Sequence, residues 1–551
     1  MGEPARKLAV DESLTEKEDV QKEFEKNSLL RVQGTLTEEL VIGLCGPIGT
    51  DIHNVSSKIK DILENEYGYK VIEIRLSRLI ERNTEKIFSG NGDSSEYIRI
   101  RDLIERGNEI RKKNSPRVLA ECAIKRIGVE REIQRKKYEE SKDPKDKQRR
   151  LCYIIDSIKN KSEYDLLKNV YRDLFYSFGV FSPKEFRVAN LKNRGLKDQE
   201  IYSLINQDSG EESDYGQSVA ITFMLSDFFI RIDNNIRKSL EEKIKRYFHL
   251  IYGTDIITPY PDETAMYLAA SAAGNSGCLS RQVGAAVTDK DGEVLSVGWN
   301  DVPKFGGGVY ISHKEISDGS DDHRCKCLDP KVCFNSREKD IILSKIEGDM
   351  FSSFNEFERE LGFLLQRNLK DSFTPELYES IQLLAKERFK DEIKHKVEEC
   401  GVKNLIEYSR SIHAEMHAII KGAQKTSDRM VGGKLFCTTF PCHNCARHIV
   451  MAGIHEVYYI EPYSKSLAEK LHSDSITSSE PLQNKVRIMM YDGVSPNRYM
   501  DLFKMTNENR KEEMPKPPDA KPRYQLTLED LKALESLTGK SLPNTFVFTE
   551  N

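Results

Sequence analysis

SIHAEMHAII (411–420), KLFCTTF (434–440) and PCHNCARHIV (441–450) are three neighbouring stretches with different hydrophobic patterns. The middle stretch is rich in residues that favour a strand. Pro441 suits the first turn of the helix that follows it. The first stretch has the apolar pattern of another helix. The sequence therefore predicts a helix–strand–helix unit, with histidine and cysteine side chains at the helix starts.

His413, Cys442 and Cys445 offer the ligands of a metal site. The two cysteines are three positions apart, so their thiols lie on one face at the start of a helix, where the helix dipole favours thiolate. Zinc accepts imidazole nitrogen and thiolate sulfur, and a catalytic zinc site leaves a fourth position for water. Glu415 is expected to carry protons rather than bind the metal. A redox C-x-x-C pair and a purely structural zinc site are the alternatives.

The pairing of H-A-E (413–415) with P-C-x-x-C (441–445) resembles the signature of zinc nucleoside and nucleobase deaminases. A redox pair does not need the upstream H-x-E, and a structural zinc would use a fourth protein ligand. The run GCLSRQVGAAVTDKDGEVLSVGWNDVP (277–303) resembles the deoxycytidylate deaminase family specifically. This resemblance implies a zinc cofactor, Glu415 as the catalytic residue, and Asn300 as a contact of the bound nucleoside.

Three further residues are predicted to contact the substrate. Ala414 is the middle residue of the H-A-E triplet. Tyr463 and Lys465 follow the predicted strand EVYYI (456–460) and are candidates for reaching a substrate phosphate. A surface loop without a ligand is the alternative for this pair.

The segment HRCKCLDPKVC (323–333) predicts a second, structural zinc site. Cys325, Cys327 and Cys333 lie close together, and either His323 or the nearby His313 offers a fourth ligand. The spacing C-x-C-x5-C matches no standard zinc module, so free thiols in a loop are the alternative.

The N-terminal half begins with ELVIGLCGPIGTDIHNVSSKIKDIL (39–63), which predicts an apolar strand, a glycine-rich turn and an amphipathic helix. This order is typical of a phosphate-cradling loop. The candidate nucleotide-binding residues are Gly43, Gly46, Gly49 and Thr50. A P-loop carries a lysine here, but Gly49 is followed by Thr50 and Asp51. Phosphoryl transfer is therefore not expected, and nucleotide binding and a ligand-free turn remain the alternatives.

Four further strand candidates alternate with charged helical stretches. They are KVIEIRL (70–76), LCYIID (151–156), DLFYSFGVF (173–181) and DFFIRI (227–232). This alternation predicts a parallel α/β sheet for residues from about 37 to 250. The mixed-charge run at 125–150 is predicted to form a solvated helix and loop.

The predicted fold class is α/β, with a parallel α/β N-terminal domain and an α/β/α C-terminal domain. The predicted ranges are a mobile tail at 1–36, a P-loop-kinase-like domain at 37–250, a cytidine-deaminase-like domain at 258–505, and a linker with a C-terminal helix at 506–551. The deaminase-like domain contains a long helical insert at 301–410. From Ile341 to Cys400 this insert predicts one or two amphipathic helices that cover the site or make a subunit contact.

The whole chain resembles larger bacterial deoxycytidylate deaminases used in anti-phage defence, which join a P-loop-kinase-like domain to a deaminase domain. Residues 154–183 and 459–476 also carry this resemblance, which covers about 37 to 505. It implies deamination of dCTP, dCMP or both, depletion of dCTP, a homo-oligomer and control by a regulatory inhibitor. The alternatives are a housekeeping dCMP deaminase, a tRNA or single-stranded DNA deaminase, and a catalytically silent nucleotide sensor.

Composition limits the partners and the compartment. The 551 residues carry a net charge of −5, so no global basic field favours nucleic acid as the main partner. Neither a membrane-spanning apolar run nor a signal-peptide core is expected. The 11 cysteines fit a reducing compartment better than a disulfide framework. We therefore predict a cytoplasmic protein without a membrane partner.

Overall fold

The computed structural model divides the chain into two compact units. Unit 1 contains Met1–Pro259 and Asp492–Asn551, and unit 2 contains Tyr260–Tyr491. The residues that the structure describes are 32, 34–90, 92–140, 150–210, 218–233, 237–312, 322–368, 405–463, 466–505, 513–540 and 542–548, with separate residues between 369 and 404. Most of the predicted tail at 1–36 lies outside them. The division differs from the predicted ranges because the chain from Asp492 onward groups with unit 1.

Unit 1 contains a parallel sheet with helices between its strands. Its elements up to residue 259 are β1 (Leu40–Cys45), α1 (Ile52–Asn65), β2 (Lys70–Arg75), α2 (Leu76–Asn83), α3 (Ser95–Lys113), α4 (Val118–Glu140), β3 (Leu151–Asp156), α5 (Lys161–Tyr171), β4 (Phe175–Phe181), α6 (Lys184–Asn193), α7 (Asp198–Gly210), α8 (Val219–Met224), β5 (Phe228–Arg231) and α9 (Arg237–Tyr252). These strands pair in parallel in the order β5-β4-β1-β3-β2. The predicted strands and the predicted parallel α/β sheet are confirmed.

The central strands of this sheet are buried on both faces. Every residue of β1, β3 and β4 is buried, as expected for a parallel sheet covered by helices on both sides. Alternate residues of β1 join different cores: Ile42 packs with α1 and α9, whereas Val41 packs with α4 and α5. The period of two along a strand therefore explains the continuous apolar runs in the sequence.

The turn between β1 and α1 requires its glycines for steric reasons. Gly49 has φ +86°, a left-handed conformation that side chains rarely adopt. A Cβ on Gly46 would lie 2.3 Å from the carbonyl oxygen of Val180. These two glycines therefore allow the turn to close tightly over the end of β4.

Unit 2 contains a mixed sheet. Its elements are α10 (Pro261–Ala273), β6 (Gly284–Thr288), β7 (Val294–Trp299), α11 (Phe334–Asn368), α12 (Ala414–Thr426), β8 (Lys434–Thr439), α13 (His443–Met451), β9 (Glu456–Glu461), α14 (Ala468–Leu471), β10 (Ile476–Thr477) and β11 (Val486–Met490). The strand order is β10-β11-β9-β8-β6-β7. The strand β6 is antiparallel to β7 and β8, and the other pairs are parallel.

Two helices press against opposite faces of this sheet. A Cβ on Gly284 would lie 1.9 Å from the Ala269 carbonyl oxygen of α10. A Cβ on Gly298 would lie 2.4 Å from the Ala418 nitrogen of α12. Gly298 pairs with Ala285, which is next to Gly284, so the two glycines point to opposite faces. The mixed sheet is therefore covered on both sides, as the α/β/α prediction requires.

The insert contains a long helix. Helix α11 runs for 35 residues and confirms the helical character predicted for this region. Beyond it, Phe389 stacks on Phe354 of α11 with a ring-centroid distance of 4.0 Å. Within the described part of the chain, no helix combines the length and apolar character needed to cross a bilayer.

The last segment of the chain completes unit 1. It contains β12 (Gly493–Val494), α15 (Tyr499–Phe503) and α16 (Leu528–Ser536). Strand β12 adds to β5 in antiparallel pairing, and the Thr37 N–H donates to the Leu526 carbonyl at 2.8 Å. Leu531 of α16 is fully buried in the core that contains α4 and α5. The helix predicted after the linker is therefore confirmed, and it packs into unit 1.

A buried ion triad fixes α16 in this position. The Arg131 guanidinium donates to Glu39 at 2.8 Å and to Glu535 of α16 at 2.6 Å. All three side chains are at most 10% exposed. The solvated helix predicted at 125–150 is therefore wrong for this turn of α4, where opposite charges from two distant segments allow Arg131 to be buried.

Replacing Arg131 with Met should destabilise unit 1, because two carboxylates would be left buried without their cation. The expected loss in the free energy of unfolding is about 3–5 kcal/mol, measured by calorimetric and chemical unfolding of the full chain. Arg135→Met is the matched control, because Arg135 is on the same helix and half-exposed with its two glutamates. Equal unfolding of the two variants would show that the two buried carboxylates do not need Arg131 as their partner.

Candidate metal centre

His413, Cys442 and Cys445 come together in unit 2. The Nδ1 atom of His413 lies 3.3 Å from the sulfur of Cys442 and 3.3 Å from that of Cys445. All ligand atoms of the trio lie within 4.8 Å of one another. Among the described residues, this is the one such group of three or more histidine, cysteine or acidic side chains. The predicted ligand set is therefore assembled.

The local structure presents these ligands at the starts of two helices. His413 immediately precedes α12, and its carbonyl accepts the N–H of His417 at 2.9 Å. Cys442 is the residue before α13, and its carbonyl accepts the N–H of Ala446 at 2.9 Å. Cys445 lies in the first turn of α13. The positive ends of both helix dipoles therefore stabilise thiolate at this position.

The electrostatics of the trio suit a cation that prefers sulfur and nitrogen. A hydrogen bond from the Cys445 thiol lowers the pKa of Cys442 to about 4, against the opposing effect of burial. Burial alone would lower the pKa of His413, but the hydrogen bond to Cys442 and the nearby charges of Glu415 and Cys442 together outweigh that effect and raise the pKa to about 9. The structure thus places two sulfur donors and one imidazole nitrogen together in a buried space. This donor set fits zinc.

Glu415 lies beside the trio without being part of it. Glu415 lies in the first turn of α12 and is 4% exposed. Burial raises the pKa of its carboxyl group, while the nearby His413 has the opposite effect. A carboxyl group with a raised pKa next to a metal site is suited to accept and return a proton.

Asn300 is buried at the end of β7, and its side-chain amide is hydrogen-bonded to the loop before β6. Its Oδ1 accepts the Val283 N–H at 2.8 Å, and its Nδ2 donates to the Arg281 carbonyl at 2.8 Å. The structure therefore gives Asn300 a role in holding this loop. Its predicted contact with a nucleoside remains a prediction.

The other predicted substrate residues have different environments. Ala414 is fully buried in the core of unit 2. Tyr463 is partly buried, and burial raises the pKa of its phenol, with the neighbouring Cys442 as the next cause. Tyr463 therefore lies near the metal ligands. Lys465 lies outside the described residues.

The residues of the predicted second zinc site do not form a ligand group. Cys325 is buried, Cys333 is partly buried, and Cys327 and His323 are exposed. His323 instead makes an edge contact with Tyr310 at a ring-centroid distance of 5.7 Å. The loop is held by the buried Arg324, which donates to Asp322 at 2.9 Å. The second zinc site stays a prediction, with free thiols in a loop as its alternative, and the other candidate ligand, His313, lies outside the described residues.

The candidate nucleotide-binding residues belong to unit 1. Gly43 is within β1, and the other three form the turn that follows it: Gly46, Gly49 and Thr50. None of the four is part of the metal centre.

Charged residues around the centre were not singled out from the sequence. His443 follows Cys442 directly, and its Nε2 lies 3.6 Å from a carboxylate oxygen of Glu407. Arg281 pairs with Glu461 at 2.9 Å, and both Arg281 and Glu407 affect the pKa of Tyr463. His443 could have been noticed from the sequence because it lies between the two cysteines of C-H-N-C. Glu407 belongs to no recognisable motif.

Comparison with known proteins agrees with the site. Residues 389–461 match the family model of the cytidine and deoxycytidylate deaminase zinc-binding region. The chain is similar to ComE operon protein 2 of Bacillus subtilis (strain 168), with 39% identity over 67 residues. That match covers 11% of this chain and 35% of the relative, so the chain spans about a third of that protein.

Two solved structures of the dCMP deaminase from the cyanophage S-TIM5 are also similar. The apo form has 16% identity and a TM-score of 0.20, covering 43% of this chain and 100% of that chain. The complex with dCMP and dUMP has 19% identity and a TM-score of 0.21, covering 43% and 99%. Residues 389–461 thus match a zinc-binding region of cytidine and deoxycytidylate deaminases, and the assembled group of His413, Cys442 and Cys445 supports Zn²⁺ as the cofactor.

Replacing Cys445 with Ala should reduce the zinc content of the purified protein to background, because two ligands rarely retain the metal. Elemental analysis of the purified, folded variant measures this. Cys437→Ala is the matched control, because Cys437 is a fully buried thiol on β8 outside the trio. Retention of zinc by the Cys445 variant, or its loss from the Cys437 variant, would contradict the ligand assignment.

Proposed function

We propose that the protein hydrolytically deaminates deoxycytidine nucleotides to deoxyuridine nucleotides, with dCTP, dCMP or both as substrates. The observation that carries this proposal is the buried carboxyl group of Glu415 beside a ligand trio of His413, Cys442 and Cys445. Three protein ligands leave a fourth position for water, as a catalytic zinc site requires. The match to a zinc-binding region of cytidine and deoxycytidylate deaminases supports the same chemistry.

Glu415 performs the proton transfers in this proposal. Zinc, when bound, supplies Lewis-acid activation of the attacking water. Glu415 takes a proton from that water and passes it to the ring nitrogen next to the reacting carbon. It then delivers a proton to the amino group, which leaves as ammonia while a carbonyl forms in its place. The balance is one nucleotide and one water giving one deoxyuridine nucleotide and one ammonia.

The residues near the centre are suited to holding a nucleotide. Asn300 fixes the loop at 281–283, and Arg281 is partly exposed and charged. Tyr463 supplies a phenol near Cys442. We infer that this side of the centre faces the sugar and phosphate of the substrate, and we retain Ala414 and Lys465 as proposed substrate contacts.

Replacing Glu415 with Gln should abolish turnover while zinc remains bound, because the change removes the proton carrier and no metal ligand. The expected loss is roughly 10²–10⁴-fold in kcat. Ammonia release by the purified protein measures activity, and elemental analysis measures zinc. Glu469→Gln on α14 is the control, because Glu469 is exposed. Near-normal activity of the Glu415 variant would show that the role belongs to another group.

The choice of substrate separates this proposal from its alternatives. The protein is incubated with dCTP, dCMP, deoxycytidine and a cytosine-containing oligonucleotide in parallel. Release of ammonia from the mononucleotides supports the proposal. Release from the oligonucleotide alone would assign a nucleic-acid deaminase, and no release by the zinc-loaded protein would favour a silent sensor.

We further propose that the deaminase activity depletes dCTP in anti-phage defence. We propose that the protein is a homo-oligomer with a P-loop-kinase-like unit 1, and that this unit and a regulatory inhibitor control the deaminase activity. The resemblance of the whole chain to anti-phage deaminases supports the biological role. The proposal that unit 1 is P-loop-kinase-like is supported by its parallel strand order β5-β4-β1-β3-β2 and by the glycine turn after the central strand β1.

Expression of the wild-type protein should lower cellular dCTP and raise deoxyuridine nucleotides, whereas Glu415→Gln should change neither pool. Nucleotide extraction and chromatography of strains with equal protein levels measure the pools. Only the wild type turns over its substrate, so a difference in nucleotide pools between the two strains results from the reaction and not from nucleotide binding. Equal pools in the two strains would refute the depletion role.

A further inference from the structure

The glycine turn between β1 and α1 is surrounded by charged side chains from three other parts of unit 1. Lys159 follows β3, Arg187 lies on α6 and Asp208 lies near the end of α7. The sequence showed no lysine within the turn, but the fold brings two cations to it from elsewhere. The turn therefore has a charge environment that its own residues do not reveal.

Asp208 places a carboxylate directly on the turn. It is 6% exposed, and its Oδ2 accepts the backbone N–H of Ile48 at 2.8 Å. Its Oδ1 is buried and accepts no hydrogen bond from any described residue. Backbone N–H groups of a glycine-rich strand-to-helix turn are the groups that hold phosphate oxygens in proteins. Asp208 therefore occupies the kind of position that such a turn offers to a phosphate.

The two cations face this carboxylate. The Nζ of Lys159 lies 3.7 Å from Asp208 Oδ1, and an Nη of Arg187 lies 3.6 Å from Oδ2. Lys159 also donates to the Gly46 carbonyl at 2.8 Å, and Arg187 Nε donates to the Ile48 carbonyl at 2.7 Å. Two positive groups therefore surround one negative group, and all three are held against the turn.

The site also contains unused donors. The Nη2 atom of Arg187, which is the atom 3.6 Å from Asp208 Oδ2, and the Oγ1 atom of Thr50 are buried and make no hydrogen bond in the described part of the chain. Buried donors normally have partners. A phosphate group carries more negative charge and more acceptor oxygens than a carboxylate. It would therefore use these donors and neutralise both cations more fully than Asp208 does.

We propose that this turn is a phosphate-binding site that the protein's own Asp208 carboxylate occupies in this structure. A phosphate-bearing small molecule displaces Asp208 when it binds there. The exchange releases the last turn of α7 from the glycine turn, because Asp208 lies near the end of that helix. The site is separate from the deaminase chemistry and does not depend on it.

The neighbouring Asp156 indicates binding without phosphate transfer. It ends β3 and lies 2.9 Å from the Nδ1 atom of His53 on α1. This contact raises the pKa of His53, against the opposing effect of burial. Phosphate transfer needs a carboxylate that binds the metal ion accompanying the phosphate. Asp156 is less available for this task because it is paired with His53. We therefore expect no ATP-dependent phosphorylation by the purified protein.

Asp208→Asn tests the exchange, because it keeps the shape of the side chain and removes the competing charge. Isothermal titration of the full chain with pyrophosphate should show binding at least about tenfold tighter than in wild type, since the internal competitor is weakened. The double variant Asp208→Asn with Arg187→Met should lose this gain. Asp198→Asn is the control, because Asp198 is at the exposed start of the same helix and pairs with Lys192.

Hydrogen exchange of the wild-type protein provides a second test that needs no variant. Pyrophosphate should protect residues 46–52 and increase exchange at 204–210, as α7 is released. Parallel titrations with inorganic phosphate and ATP distinguish the source: ATP binding much more tightly than pyrophosphate indicates a nucleotide, and equal binding indicates a phosphate chain alone. The proposal fails if pyrophosphate changes exchange in neither segment, or if a folded Asp208→Asn variant binds it no more tightly than wild type.

Discussion

The close approach of two helices to the sheet of unit 2 is the constraint on which the metal centre depends. Gly284 and Gly298 leave no space for a Cβ atom between the sheet and the backbones of α10 and α12. The position of α12 sets the position of His413 and Glu415 at its start. A side chain at Gly298 would push α12 outward, and displacements of this size matter because reacting groups must be held within narrow distances. Gly298 therefore helps to place His413 and Glu415 without touching either of them.

Unit 1 depends on a different constraint, the pairing of buried charges across long sequence distances. Arg131 joins Glu39 to Glu535, and Arg111 pairs with Glu163 at 2.8 Å with both side chains at most 2% exposed. A buried charge without its partner is costly, whereas the pair itself adds little stability. We infer that these pairs select one arrangement of helices, because any other packing would leave a charge buried alone.

The parts predicted correctly from the sequence are those determined by local patterns. Apolar runs predicted the strands of the parallel sheet, and two short motifs predicted the group of His413, Cys442 and Cys445, because each motif fits within one helix start. Patterns of this kind carry no information on distant partners. The two-residue strand β12 has no periodicity to detect, and its partner β5 lies far earlier in the chain. Burial of Arg131 and the gathering of Lys159 and Arg187 at the glycine turn likewise depend on tertiary contacts. For the cysteines at 325, 327 and 333, nearness in sequence does not show whether their sulfurs share one metal ion, so the second zinc site stays a prediction.

The return of the chain to unit 1 after unit 2 has a consequence for biosynthesis. A ribosome makes the zinc-binding unit in full before it makes β12 and α16, and domains generally fold in the order in which they are synthesised. Unit 2 can therefore close its core and acquire metal while unit 1 still lacks its last strand and helix. During that interval the edge of β5 and the apolar surface that receives Leu531 are uncovered. The N-terminal unit, although begun first, is the one whose assembly is finished last.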